Sequence, residues 1–222
     1  MRPPSQPFDQ ICREVRTRFP SAFTQEAGLR GRVDAESLGD WAAGAVELAG
    51  LHQVIASPGR VSGSLEVFLR LVEETRRRRI RMVWIDPSDC LDPVTAFAQA
   101  PQHLVWARGG GLPAALQVAD AVLRDENFPF VCLDGVLLEE NDWRRQPLSR
   151  WYRLQRLANR KGACLILGTP AVTIPAAGRR WTVGVNWEFP DCFTTPRGEL
   201  QSGVSLTPAD SSGASERSEG TG

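Results

Sequence analysis

Lysine is almost missing from this chain: of its 26 basic residues one, Lys161, is a lysine and the other 25 are arginines. Any chemistry that needs a lysine must therefore use Lys161. Histidine is nearly as scarce, with His52 and His103 far apart in the chain, and the five cysteines (Cys12, Cys90, Cys132, Cys164, Cys192) form no C-x-x-C pair. A zinc centre needs clustered ligands, so no metal site is expected. Cys132 and Cys164 lie inside apolar runs and read as small core residues. No apolar stretch nears the roughly 20 residues of a membrane helix. Residues 1–5 lack the apolar core of a signal peptide, which makes the cytoplasm the expected compartment. The net charge is zero, which disfavours strong autonomous nucleic-acid binding.

What is present is ordinary for a folded domain: 222 residues, 42% hydrophobic and 23% charged. Residues 8–19 predict a short amphipathic helix, with Phe8, Ile11, Cys12, Val15 and Phe19 at helical spacing and Pro20 closing it. A Gly/Ala-rich stretch and a mixed apolar run over 48–56 follow. Strands and helices then alternate. Helices are expected over 64–78, 93–99, 112–124 and 149–159, with strands at 81–86, 103–107, 130–134, 163–167 and 180–187. The arginine run at 76–79 suits the C-terminal end of the first of these helices. Such alternation predicts an α/β fold with a mainly parallel sheet covered on both faces. From Gln201 onward the chain is rich in Ser, Gly, Thr and Glu, too polar to offset its ordering entropy, and a disordered tail is expected. The organisation read from sequence is an N-terminal helix and linker (1–31), one α/β domain (32–200) and a tail (201–222).

Chemistry in such a domain belongs at the C-terminal ends of the strands: the 57–64 loop, Asp86, Asp134 and Gly168-Thr169. The loop stands where a phosphate loop G-x-x-x-x-G-K-[ST] would stand, before an amphipathic helix. It reads Ser57-Pro58-Gly59-Arg60-Val61-Ser62-Gly63-Ser64. In one register Ser57 and Ser62 replace the glycines, Gly63 replaces the lysine and Ser64 keeps the magnesium-type hydroxyl. Shifted by one, Gly63 is the second glycine and Ser64 takes the lysine position. Neither register supplies a lysine, and Lys161 opens a different strand. Asp134, at the end of an apolar strand, is either a cation-binding carboxylate or a turn cap. Arg150, Arg153, Arg156 and Arg160 fall on adjoining turns of one helix beside Trp143, Trp151 and Tyr152. That pattern is either a grip for single-stranded nucleic acid or a solvated helix face beside core aromatics.

From about residue 48 to 187 the order and spacing resemble the RecA recombinase core. Ile85-Asp86-Pro87-Ser88-Asp89-Cys90-Leu91-Asp92-Pro93 is similar to the RecA segment I-D-A-E-H-A-L-D-P. The helix at 112–124 and the strands at 130–134 and 163–167 follow in RecA order. The resemblance implies a RecA-like, P-loop-type core in which Asp134 is the Walker B carboxylate. It places the water-activating glutamate at Ser88, which cannot act as a base, and the polar sensor near Thr169. The two DNA-binding loops correspond to 135–148 and to about 168–180, both reduced, the second ending in Arg179-Arg180. With the phosphate lysine and the catalytic glutamate both gone, the expectation is a pseudo-ATPase with no catalytic residue and no cofactor.

RecA-like chains of this size without a working phosphate loop resemble the ImuA family. That resemblance implies an adaptor in SOS-induced translesion synthesis and mutagenic DNA repair. Its implied partners are an ImuB-type Y-family polymerase homologue, RecA or an error-prone DnaE-type polymerase. DNA contact, through Arg150, Arg153, Arg156, Arg179 and Arg180, would be weak or indirect. The apolar stripe Phe8, Ile11, Val15 and Phe19 either packs on the chain's own core or holds a partner. Two further readings stand beside this one: a SulA-like inhibitor of cell division, and a RecA-type ATPase with an unorthodox phosphate loop.

Overall fold

Four buried strands set the architecture: Gly50–Ile55 (β2), Met82–Asp86 (β3), Phe130–Asp134 (β5) and Cys164–Thr169 (β6) are each buried along their whole length, β2 with His52 and Gln53 among its apolar residues. A strand buried on both faces has no polar side to alternate with, which is the mark of a parallel sheet under helices. The computed structural model describes residues 36–56, 63–97, 101–188 and 190–209. The remaining elements, in chain order, are β1 (Glu36–Ser37), α1 (Leu38–Ala45), α2 (Ser64–Arg77), α3 (Pro93–Ala96), β4 (Leu104–Arg108), α4 (Gly111–Asp125), α5 (Glu140–Arg144), α6 (Leu148–Lys161), β7 (Arg180–Val185), α7 (Asp191–Thr194), α8 (Arg197–Ser202) and β8 (Val204–Pro208).

The strands form one eight-stranded mixed sheet in the order β1-β8-β7-β2-β6-β5-β3-β4. β7 through β4 are parallel to their neighbours, while β8 runs antiparallel to both β7 and β1. Period-two alternation divides the core. Met82, Trp84, Phe130, Cys132, Cys164 and Ile166 face α1 and α2; Val83, Ile85, Val131, Leu133, Leu165 and Leu167 face α4 and α6. Each such side chain contributes about 1.5–3 kcal/mol by leaving water.

Local chemistry explains the helices on both faces. α2 presents Val67, Phe68, Leu71 and Val72 inward. Its arginine run is structural: Arg77 and Arg78 both bond Glu74, which is 1% exposed, and Arg78 reaches on to Glu47 and the Ala43 carbonyl, tying α2 to α1. The Arg77 guanidinium holds the Glu74 carboxyl down at about 2. α6 turns Trp151, Leu154, Leu157 and Ala158 to the sheet and ends at Gly162, whose φ of 63° is the left-handed stop that glycine tolerates. Gly168 is required for a steric reason, since a Cβ there would stand 2.6 Å from Phe68 Cζ.

The C-terminal segment departs from expectation. Residues 201–208, assigned to a disordered tail, lie inside the fold: Gln201 ends in α8, and β8 pairs with β7 through Val183↔Leu206 and Val185↔Val204. Val204 is 2% exposed and Leu206 is fully buried. A polar composition with two apolar residues at alternate positions is enough for a strand when a partner edge is already present. Residues 210–222 lie outside the described residues. So do the helix expected at 8–19, with Phe8, Ile11, Val15 and Phe19, and the 1–31 segment as a whole.

Candidate functional site

The C-terminal ends of β2, β3, β5 and β6 lie on one edge of the sheet, as parallel pairing requires. Of the loop at this edge Ser57, Pro58, Gly59 and Ser62 lie outside the described residues. Gly63 caps α2 in the left-handed region, with φ 64° and ψ 2°. A Cβ at that position would stand 2.6 Å from Val185 Cγ1, with Val183 and Val204 close behind. The position that carries the lysine in the first register is thus walled by the valines of β7 and β8, and a long side chain has no room. In the second register the lysine position is Ser64, the first residue of α2. Lys161 sits at the end of α6, before β6 begins, at the opposite edge of the sheet and paired with Glu126.

Among the described residues, Asp86 and Asp89 are committed to the fold and Asp134 has no ion-pair partner. Asp86 is 1% exposed and accepts from the Leu91 amide at 3.0 Å and the Cys90 amide at 3.3 Å, closing the turn that follows β3. In that turn Asp89 takes a left-handed φ of 52° and binds Arg108 bidentately at 2.7 and 3.0 Å. Ser88, where the resemblance places the water-activating glutamate, has its Oγ buried with no hydrogen-bond partner. Among the described residues, Asp134 accepts a single long bond, from the Val136 amide at 3.5 Å. Burial pushes its carboxyl up to about 7, the Val136 amide opposes this, and Asp86 on the neighbouring strand adds to the rise. Partial desolvation, with the Asp86 and Asp134 carboxylates nearby, pushes the Cys90 thiol up to about 12 although the residue as a whole is exposed.

At the end of β6 the sensor position is closed. Thr169 is fully buried. Its hydroxyl accepts from Gln53 Nε2 at 2.6 Å and donates to the Ala171 carbonyl at 2.8 Å, while Gln53 Nε2 also reaches Ala171. Gln53 was not singled out in the sequence, because a lone glutamine in an apolar run gives no sign of a partner more than a hundred residues away.

Of the candidate DNA contacts, Arg180 turns inward: its Nη2 donates to the carbonyls of Ile174 and Pro175, stapling the loop before β7. Arg179 is exposed. Arg150, Arg153 and Arg156 share α6 as expected, but the aromatics beside them do not serve a single strand. Trp143 and Trp151 are core residues, 0% and 1% exposed, stacked on each other at 5.9 Å. Of that aromatic set only Tyr152 is exposed. The core position of the tryptophans agrees with the second of the two readings that the sequence leaves open, and the spacing carries it, since Trp151 falls in the i, i+3, i+7 stripe with Leu154 and Ala158 that faces the sheet.

Sequence reasoning missed a second property of this edge. Leu65, Val94, Leu137, Val172 and Phe193 are large apolar residues between 42% and 86% exposed. Each lies in the segment that follows the C-terminal end of one parallel strand, after β2, β3, β5, β6 and β7 in turn. Single apolar residues in connectors carry no periodicity, so only the topology gathers them on one side. Nearby, Glu66 of α2 receives Arg197 Nε at 3.1 Å and Gln201 Nε2 at 2.9 Å, and Arg197 also reaches the Ala96 carbonyl. This clamp fixes α8 against the start of α2. Among the described residues no cluster of three His, Cys, Asp or Glu could hold a metal ion, and no helix is long and apolar enough to cross a membrane. No protein-family model matches the chain, and no curated protein matches it.

Proposed function

We propose that this chain is a non-catalytic, RecA-like adaptor that works by binding proteins, with SOS-induced translesion synthesis as its setting. Its partners on this reading are an ImuB-type polymerase homologue together with RecA or an error-prone DnaE-type polymerase. The sheet order, with β6 between β2 and the Asp134 strand, is compatible with a RecA-like core. The observation that carries the reading is the condition of the strand-end edge. Among the described residues Asp86, Asp89 and Thr169 are bonded within the fold, Asp134 has no ion-pair partner, and five large apolar side chains stand exposed in the connectors beside them. An ATPase needs the reverse: charges held ready for phosphate and metal. Exposed apolar side chains at one edge suit a protein interface.

The test has two parts. Purified protein should show no ATP turnover above background; steady turnover abolished by Asp134→Ala would overturn the non-catalytic reading. Binding to an ImuB-type homologue from the same genome, measured by calorimetry, should weaken at least about tenfold in Leu137→Glu with Val172→Glu while the thermal melt is unchanged. No binding to that homologue, with tight binding to FtsZ instead, would transfer the chain to the division inhibitors.

A further inference from the structure

β7, β2, β6, β5 and β3 lie side by side, and the segments that follow them carry Phe193, Leu65, Val172, Leu137 and Val94 in that same order. Four strand spacings of about 4.8 Å make this a row roughly 19 Å long. Each of the five side chains has surface left to bury, and apolar groups gathered in this way mark a contact surface.

Two ends of the chain lie outside the described residues, 1–35 and 210–222. Residues 210–222 contain no apolar side chain larger than that of Ala214 and have nothing to lay on the row. Residues 8–19 carry Phe8, Ile11, Val15 and Phe19 on one helical stripe. At about 1.5 Å per residue a helix sets Phe8 and Phe19 roughly 17 Å apart, close to the length of the row. Charge agrees with this match. Among the described residues the connectors over 87–92, 135–147, 170–179 and 186–196 hold seven acidic and three basic residues, whereas residues 8–19 hold Arg13, Arg16 and Arg18 against Asp9 and Glu14. The tether is also long enough. Glu36 pairs with Leu206 and Leu206 with Val183, which sets β1 level with the C-terminal half of β7 and two strand spacings, about 10 Å, beyond it. Residues 20–35 can span about 50 Å when extended, enough to pass the far end of the row. A segment tethered at this length is present at an effective concentration on the order of millimolar, which favours the chain's own copy over that of a second molecule.

We infer that residues 8–19 dock as a helix along the strand-end edge of their own chain, with the apolar stripe against Phe193, Leu65, Val172, Leu137 and Val94. The contact stands independently of the adaptor reading; on that reading, a partner that uses this edge must displace the segment first.

Hydrogen exchange of the full chain at low micromolar concentration, followed by mass spectrometry, tests the contact. The amides of residues 8–19 exchange at least about tenfold more slowly than an unstructured segment. Leu137→Glu with Val172→Glu removes this protection while β3, β5 and β6 keep theirs, and the milder Leu137→Ala with Val172→Ala removes part of it. Val105→Glu, on the outer strand β4 and away from the row, leaves the protection as it was. Exchange of residues 8–19 at the unstructured rate in the parent overturns the proposal. So does protection that survives both pairs of changes, or that is lost equally with Val105→Glu. Protection that rises with protein concentration overturns it in favour of docking on a second copy. No partner protein enters the measurement, so this inference and the adaptor reading fail separately.

Discussion

Replacing Asp134 by asparagine should stabilise the protein, and the gain should grow with pH. The carboxyl titrates near 3.8 when unfolded and is pushed up to about 7 in the fold, first by burial and then by Asp86. The folded state therefore favours the protonated acid. The penalty is absent below pH 4, develops as the unfolded chain ionises, and is complete above pH 7, where the full gap corresponds to about 4 kcal/mol. Between pH 5 and pH 8 the linkage relation gives a change of roughly 2–3 kcal/mol. Asparagine keeps an oxygen for the Val136 amide and removes the titration, so the difference between variant and parent isolates this one group. Urea unfolding of both proteins at pH 5, 6, 7 and 8 measures it, provided the transitions are two-state. A difference that stays flat across this range refutes the burial argument. A difference that shrinks as pH rises means a cation compensates Asp134 after all, which would reopen the ATPase reading.

Removing residues 204–222 should lower the melting temperature by at least about 6 °C, because Val204 and Leu206 each contribute about 1.5–3 kcal/mol; an unchanged melt would return β8 to the tail. Gly168→Ala should cost about 1–3 kcal/mol through its clash with Phe68, and Phe68→Leu should recover part of the loss, both read by urea unfolding. Burial pushes the His52 imidazole below its usual range, with Arg179 adding to this against the Ala49 carbonyl. Its contribution is then complete above about pH 6.5 and lost as the pH falls. His52→Gln should flatten the stability decline between pH 7 and pH 5, and an identical slope in the parent would contradict the assignment.

The central strands were legible because β3, β5 and β6 are short apolar runs bounded by polar connectors, a pattern few other structures produce. The interior of α6 was equally legible, since Trp151, Leu154 and Ala158 share one stripe, whereas its basic stripe fits both a solvated face beside core aromatics and a nucleic-acid grip. β8 was hidden for a different reason. Val-Ser-Leu-Thr-Pro carries little burial of its own and becomes a strand only against β7. The closure of the strand-end edge was partly legible: the missing lysine could be read directly, but the Gln53–Thr169 bond and the valines around Gly63 arise from contacts between distant segments. Charge deletion leaves a trace in sequence, whereas steric exclusion does not.

The pairing of β1 with β8 joins Glu36 to Leu206 and Ser37 to Ser205, and this orders events during synthesis. When β1 and α1 leave the ribosome, the strand that must lie between them and β7 has not yet been made. The sheet edge at β7 stays open until translation has passed Pro208, and a nascent chain stalled before that point presents an unpaired, half-apolar strand to its neighbours. Completion of this edge is therefore a late step with high sequence separation, slow by the standards of the local β–α–β units that precede it. A chain released before Val204 keeps that edge open and meets the protein-quality machinery before it meets a partner.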